Sequence, residues 1–163
     1  MLSPVEKLAI AHSTEGFDCG KDELNRFLKR FALANQQANS AQTYVANRNG
    51  VVVGYYSLAV GGVGHQMASA RVTKGMARHP IPVMVLARLA VDLSEQGQGT
   101  GKGLLKDALR RTAAAADIAG IRALFVTAKD DDAQRFYEHY NFDPSPADPR
   151  QLFLVMKDLK RMI

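Results

Sequence analysis

The sequence predicts an α/β fold, because helical and strand patterns alternate along the chain. Apolar residues recur at helical spacing in some segments and gather in short runs bounded by turn residues in others. Alternation of these two patterns favours a sheet covered by helices. No repeat or linker divides the 163 residues, so we expect one domain spanning residues 1–163.

The composition is that of an ordinary globular protein, and its single cysteine is compatible with a reducing compartment. Hydrophobic residues make up 47% of the chain and charged residues 23%. Cys19 is the only cysteine, which excludes an internal disulfide and a multi-cysteine metal cage. The first residues lack the pattern of a signal peptide, and no apolar run nears the roughly 20 residues that cross a bilayer. We therefore expect a cytoplasmic protein.

The N-terminal third predicts a helix followed by a hairpin. A helix is expected over residues 22–35, with an apolar stripe of Leu24, Phe27, Leu28 and Phe31. Strands are expected over residues 43–47 and 51–60, around the turn Arg48-Asn49-Gly50. An Asn-Gly pair accommodates the positive φ angles of a tight hairpin.

The rest of the chain alternates between strands and helices after one long irregular stretch, residues 61–82. A loop of this length is often functional. Gly120 stands where the longer helix is expected to stop. We expect strands over residues 83–92, 123–128 and 152–156, and helices over residues 102–119 and 131–140.

The most informative segment is Gln96-Gly97-Gln98-Gly99-Thr100-Gly101-Lys102, between a strand and a helix. The start of a helix offers unpaired N–H groups and partial positive charge. Glycines let the backbone approach an anion closely, and Lys102 adds a positive charge. The segment therefore predicts a phosphate or pyrophosphate site, with an ordinary glycine-rich turn as the alternative.

Three nucleotide-binding patterns can be compared with this loop. A P-loop fails because Gln96 replaces its first glycine and Gly103 its Ser or Thr. A dinucleotide fingerprint fails because Lys102 or Leu104 falls on its third glycine. The pattern Gln/Arg-x-x-Gly-x-Gly/Ala is matched completely by Gln96, Gly99 and Gly101.

That third pattern resembles the pyrophosphate loop of the GCN5-related N-acetyltransferases, the GNAT family. The resemblance implies a central, mixed, twisted sheet flanked by helices, and acetyl-CoA as co-substrate without a metal. It implies that the loop residues bind the cofactor. It also implies that the strand segment Leu89-Ala90-Val91 lends backbone groups to the pantetheine arm and an N–H to the oxyanion.

The segment Phe136-Tyr137 to Asn141-Phe142 is similar to the family's Phe-Tyr helix that ends at Gly-Phe. Asn141 replaces the glycine, a mild change because Asn tolerates a left-handed cap. The resemblance implies that Phe136 lies at the cofactor and that Tyr137 protonates the leaving thiolate. From the residues alone, packing in an amphipathic helix is the better explanation of Tyr137.

No general base stands out. The candidates are His65, His79, Glu138 and His139, and water is the alternative. His12 lies near the N-terminus and is discounted. No spacing typical of metal ligands is present.

Three segments are similar to one branch of the family, the tRNA-acetylating toxins of bacterial toxin–antitoxin pairs. They are residues 17–29, with Phe17-Asp18-Cys19-Gly20 and Leu24-Asn25, residues 81–92 and residues 144–149. Ala87 and Thr127 depart from the toxins' usual Gly and His. This similarity implies acetylation of the α-amino group of aminoacyl-tRNA, arrest of translation, and neutralisation by a ribbon-helix-helix antitoxin. Acetylation of a small amine or a protein N-terminus, and a catalytically silent CoA-binding module, are the alternatives.

The net charge of +5 is compatible with an RNA substrate. The positions that we expect to contact tRNA are Lys29, Arg30, Arg78 and Arg88. The alternative is an ordinary charged surface. The sequence leaves open whether the chain forms a homodimer.

Overall fold

Seven strands form one mixed sheet in the computed structural model, which describes residues 2–77 and 79–163. The strands are β1 (Glu6–Lys7), β2 (Gln42–Arg48), β3 (Val51–Val63), β4 (Ile81–Val91), β5 (Ala123–Thr127), β6 (Asp143–Pro144) and β7 (Gln151–Val155). They lie in the order β1-β2-β3-β4-β5-β7-β6. β4 and β5 run parallel, whereas β1–β2, β2–β3, β5–β7 and β6–β7 are antiparallel pairs. The predicted α/β class with a mixed sheet is confirmed.

Six α-helices accompany the sheet in the described part of the chain. They are α1 (Asp22–Arg26), α2 (Ala32–Gln37), α3 (Ala70–Thr73), α4 (Thr100–Ala116), α5 (Asp131–His139) and α6 (Met156–Arg161). None of these helices is long and apolar enough to cross a membrane.

A π-helical turn, Phe27–Phe31, interrupts the predicted first helix. Its wider turn places the N–H of Ala32 on the carbonyl of Phe27, five residues back. The extra residue moves the apolar stripe by one position, so Ala32 is buried and Phe31 is half exposed, at 50%. The expectation that Phe31 belongs to the buried stripe is therefore wrong.

The predicted hairpin is confirmed. Arg48 pairs with Val51, which leaves a two-residue turn of Asn49 and Gly50. Their φ angles are 52° and 84°, as this tight turn requires.

The stretch expected to be irregular, residues 61–82, contains regular structure in its described residues. β3 continues to Val63, β4 already begins at Ile81, and α3 lies between them. The guanidinium of Arg122 donates hydrogen bonds to the carbonyls of Val72, Arg71 and Lys74, at the end of α3. This order depends on a residue far along the chain, which local sequence patterns do not reveal.

The later helices also differ from expectation at their ends. α4 begins two residues earlier than predicted and stops at Ala116, where N–H groups of Asp117 and Ile118 bond to carbonyls three residues back. Gly120 is therefore not the helix stop. Helix α6 was not predicted, because six residues give too little periodicity to identify.

The chain separates into two compact units. One consists of residues 1–59 and 87–108, and its buried cluster includes Phe17, Phe27 and Tyr55. The other consists of residues 60–86 and 109–163, and its cluster includes Ile81 and Phe153.

Candidate active site

The glycine-rich loop leads into α4: residues 96–99 precede the helix, and Thr100, Gly101 and Lys102 form its first turn, two residues earlier than the sequence predicted. The N–H of Gly103 donates to the carbonyl of Gly99 at 3.0 Å, which closes the first turn of the helix. The N–H groups of Thr100, Gly101 and Lys102 then have no acceptor within the helix. They carry the partial positive charge of the helix start, which suits an anion.

At two positions of the loop, the backbone angles require glycine. Gly97 has a φ of 77° and Gly99 a φ of 85°, a left-handed conformation that other residues rarely adopt. A Cβ built on either glycine meets no heavy atom within 4 Å. The space beside the loop is therefore open to a ligand, and the constraint lies in the backbone.

The residue before the loop is fixed by an ion pair. The guanidinium of Arg48 donates to both carboxylate oxygens of Glu95, at 2.8 and 3.1 Å. These hydrogen bonds lower the pKa of Glu95, so its carboxylate stays ionised. The pair joins the start of the loop to β2.

The Gln96 side chain does not reach outward from the loop. Its Nε2 donates to the carbonyl of Val91 at 2.9 Å and to the carbonyl of Cys19 at 3.2 Å. An amide nitrogen has two protons to donate, and both are used here. Any contact of Gln96 with a phosphate would therefore involve its backbone.

The second half of β4 is not paired with β5. The parallel pairing runs from Val83 to Leu86 and stops five residues before the strand ends at Val91. Leu89 and Val91 are half-buried and Ala90 is buried in this segment. Backbone groups of this segment that are not used in pairing with β5 suit an extended ligand such as pantetheine.

Tyr137 lies in the last turns of α5 and is buried, with 6% of its surface exposed. Burial raises the pKa of its phenol well above the ordinary value, because the phenolate would lose its hydration. The hydroxyl therefore stays protonated and can act as a proton donor. Phe136 contacts Tyr137 edge-on, with ring centroids 5.2 Å apart, and is half-buried.

A family model matches about two thirds of the chain. The acetyltransferase (GNAT) domain covers residues 39–144, which include the loop and Tyr137. The chain belongs to the GNAT acetyltransferase family.

Relatives of this GNAT acetyltransferase match almost its entire length. The tRNA-acetylating toxin of Mycobacterium tuberculosis (strain ATCC 25618 / H37Rv) is 43% identical over 161 residues, 99% of this chain and 96% of the relative. AtaT complexed with acetyl-methionyl-tRNAfMet superposes with a TM-score of 0.92 at 30% identity, over 99% of both chains. An AtaT mutant bound to the C-terminus of the antitoxin AtaR and to acetyl-CoA gives 0.85 at 30% identity, over 99% of this chain and 97% of that one.

The basic residues predicted for RNA lie in different settings in this GNAT chain. Lys29 and Arg30 are exposed on the π-helical turn. The guanidinium carbon of Arg88 lies 3.7 Å from the centre of the Phe27 ring, so Arg88 joins the same region. Arg78 lies outside the described residues.

The candidate bases do not form one cluster. His65 and His79 line a cavity of about 630 Å³, and the Nε2 of His65 lies 2.7 Å from the carbonyl of Ala77. Since that carbonyl can only accept, Nε2 carries the proton. Glu138 lines another cavity, of about 710 Å³, and His139 packs on Tyr140. His12 bonds to Glu6 at 2.8 Å.

The structure reveals polar residues around the loop to which the sequence assigned no role. They are Asp18, Asn25, Arg48, Asp92 and Glu95. Asp18 and Asn25 belong to a segment that supported the resemblance, which was the available signal. Their partners lie up to 74 residues away, so their contacts could not be identified from spacing.

Proposed function

We propose that this acetyltransferase transfers the acetyl group of acetyl-CoA to the α-amino group of aminoacyl-tRNA, and so blocks translation. The observation that carries the proposal is the match over 99% of both chains to AtaT complexed with acetyl-methionyl-tRNAfMet. The 43% identity to a tRNA-acetylating toxin supports it.

In this proposal, the loop from Gln96 to Lys102 binds the pyrophosphate of acetyl-CoA. The N–H groups at the start of α4 that have no acceptor within the helix, and the left-handed Gly97 and Gly99, support this role. The segment Leu89–Val91 holds the pantetheine arm by its backbone, and Phe136 lies beside the cofactor.

Tyr137 supplies the proton that completes the transfer. The neutral α-amine attacks the thioester carbonyl, and a backbone N–H of the Leu89–Val91 segment stabilises the oxyanion. The C–S bond then breaks and the Tyr137 hydroxyl protonates the departing sulfur, while the amine loses its extra proton to water. Solvent returns a proton to the phenolate, and the products are an amide and free CoA.

The π-helical turn provides a surface that suits RNA. Lys29 and Arg30 are exposed there to meet phosphates, and the exposed Phe31 presents a ring on which an unpaired base can stack. Arg88 lies over Phe27 in the same region. We assign Lys29, Arg30, Arg78 and Arg88 to tRNA binding.

The proposal includes regulation by a partner. An antitoxin would neutralise the enzyme, and the complex of AtaT with the C-terminus of AtaR supports such a partner. We propose that this antitoxin is of the ribbon-helix-helix type, as the resemblance implies. Sedimentation velocity would measure whether the chain also forms a homodimer. Because charged tRNA is the substrate in this proposal, we infer that the enzyme acts in the cytoplasm.

Transfer of labelled acetyl from acetyl-CoA to a pool of charged tRNAs tests the proposal. We expect label on charged tRNA and none on deacylated tRNA, because only the charged form carries a free α-amine. A small amine and a peptide serve as competing acceptors. Label on either of these with none on any tRNA would overturn the tRNA assignment and leave the family intact.

A further inference from the structure

A buried asparagine of α1 organises the segment that precedes the helix. Asn25 is 9% exposed, and its Oδ1 accepts a hydrogen bond from the N–H of Cys19 at 2.8 Å. Its Nδ2 donates to the carboxylate of Asp18 at 3.0 Å. The single side chain therefore fixes both the backbone and a side chain of residues 18–19.

Residues 18–19 in turn hold the start of the glycine-rich loop. The N–H of Asp18 donates to the carboxylate of Asp92 at 2.8 Å, and the N–H of Leu93 donates to the carbonyl of Asp18 at 2.8 Å. The Nε2 of Gln96 reaches the carbonyl of Cys19. Three hydrogen bonds thus connect this short segment to residues 92–96.

We infer that Asn25 is a positioning residue for acetyl-CoA, acting through Asp18 and Cys19 on the loop; the inference rests on the proposed pyrophosphate role of that loop. The side-chain hydrogen bonds of Asn25 go to Asp18 and Cys19, and Asn25 acts through these two residues. Its effect is to present the Cys19 carbonyl and the Asp18 backbone groups where Gln96, Asp92 and Leu93 meet them.

The chemistry of the site favours positioning over simple packing. A leucine of similar size would fill the same space but would leave the N–H of Cys19 without its partner. The loop has to hold several N–H groups in one geometry to bind a pyrophosphate, so a small displacement weakens them together. The transfer step uses other groups, so its rate at saturation does not depend on Asn25.

Substitution of Asn25 with three readouts tests the inference. We expect Asn25→Leu to raise the Kd of acetyl-CoA in calorimetry by about tenfold or more. KM for acetyl-CoA should rise in parallel, while kcat at saturating acetyl-CoA changes less than roughly twofold. Asn35→Ala on α2 is the matched control, because Ser40 donates to the backbone carbonyl of Asn35, which alanine keeps.

Two further variants separate the outcomes. Asn25→Asp keeps the acceptor for Cys19 but faces Asp18 with a like charge, and we expect an intermediate Kd. Gln96→Met removes the hydrogen bond to the Cys19 carbonyl and should weaken acetyl-CoA binding. Because Gln96 is exposed, this variant should fold even if Asn25→Leu does not. Wild-type affinity in folded Asn25→Leu would overturn the inference, and so would wild-type affinity in Gln96→Met if Asn25→Leu does not fold. If Gly101→Asp also keeps its affinity, the proposed role of the loop fails as well; if Gly101→Asp abolishes binding, only the positioning role fails.

Discussion

The backbone N–H of Phe142 donates to the carbonyl of Tyr137 at 3.1 Å, and the rings of the same two residues meet edge-on with centroids 5.3 Å apart. Asn141 lies between them in the left-handed region with a φ of 69°, and its N–H donates to the carbonyl of Glu138. The two bonds form a Schellman cap with its apolar contact. The end of α5 therefore fixes the ring proposed to be catalytic.

Replacing Tyr137 by Phe removes the hydroxyl and keeps both ring contacts. If the phenol protonates the leaving thiolate, kcat falls by roughly 10²–10⁴. Affinity for acetyl-CoA should barely change, because other groups bind it. Stopped-flow or steady-state release of free CoA measures kcat, and calorimetry measures the affinity. A variant with near wild-type kcat would assign Tyr137 to packing alone.

The same residue predicts the alkaline side of the pH profile. An ordinary tyrosine titrates at a pKa of 10.0, and burial raises the pKa of Tyr137 above this value. The proton-donating form therefore persists as pH rises to 10, so kcat should show no loss from phenol ionisation below that pH. A profile of kcat up to pH 10 checks this, with circular dichroism as the control for folding. A descending limb near pH 9 that Tyr137→Phe abolishes would contradict it.

The cap itself can be tested at Asn141. Asn141→Ala places an ordinary side chain at positive φ and should lower the free energy of unfolding by about 1–2 kcal/mol. Asn141→Gly should be neutral or stabilising by a few tenths of a kcal/mol, since glycine adopts this angle freely. Urea unfolding gives both values, and Asn35→Ala outside the cap serves as the reference. Equal stability of the Ala and Gly variants would refute the argument.

The loop assignment predicts that Gly101→Asp loses acetyl-CoA binding while the fold survives. The substitution adds bulk and negative charge where the pyrophosphate is proposed to approach. Gly120→Asp adds the same group at an exposed glycine with open space around it, and it should bind normally. Calorimetry on both folded variants decides: unchanged affinity in Gly101→Asp removes the loop from the site.

Charge reversal tests the surface that we propose for tRNA binding. Lys29→Glu with Arg30→Glu should weaken tRNA use at least tenfold and leave acetyl-CoA affinity intact. Lys157→Glu with Lys160→Glu on α6 makes the same change in net charge elsewhere. Activity should also fall as salt rises, and less steeply in the first double variant. If both double variants lose tRNA activity equally, general charge rather than this helix attracts the RNA.

The sequence predicts the parts of the molecule that short-range rules govern. Three such features depend mainly on residues close together in the sequence, and the structure contains all of them. They are the hairpin at Asn49-Gly50, the strand before Gln96 and the left-handed cap at Asn141. Phe31 was misplaced because the apolar spacing assumes 3.6 residues per turn, and a π-helical turn breaks that period.

The contacts around the loop could not be predicted for a different reason. In the sequence, nothing distinguishes Asn25 from other polar residues of a helix. Its role depends on the fold, which brings Cys19 and Gln96 together. Arg122 likewise has an ordinary sequence context, although it fixes the end of α3. Such contacts join residues that are far apart along the chain, so local patterns in a single sequence do not identify them.

The stacking of Arg88 on Phe27 has a thermodynamic consequence. A free arginine side chain loses up to about 2 kcal/mol of conformational entropy when a ligand immobilises it. The guanidinium of Arg88 is already held against the ring, 3.7 Å from its centre, so folding has ordered it before any partner arrives. The exposed side chains of Lys29 and Arg30 bear that loss only on binding. Among these cations, Arg88 therefore offers its charge at the lowest entropic cost.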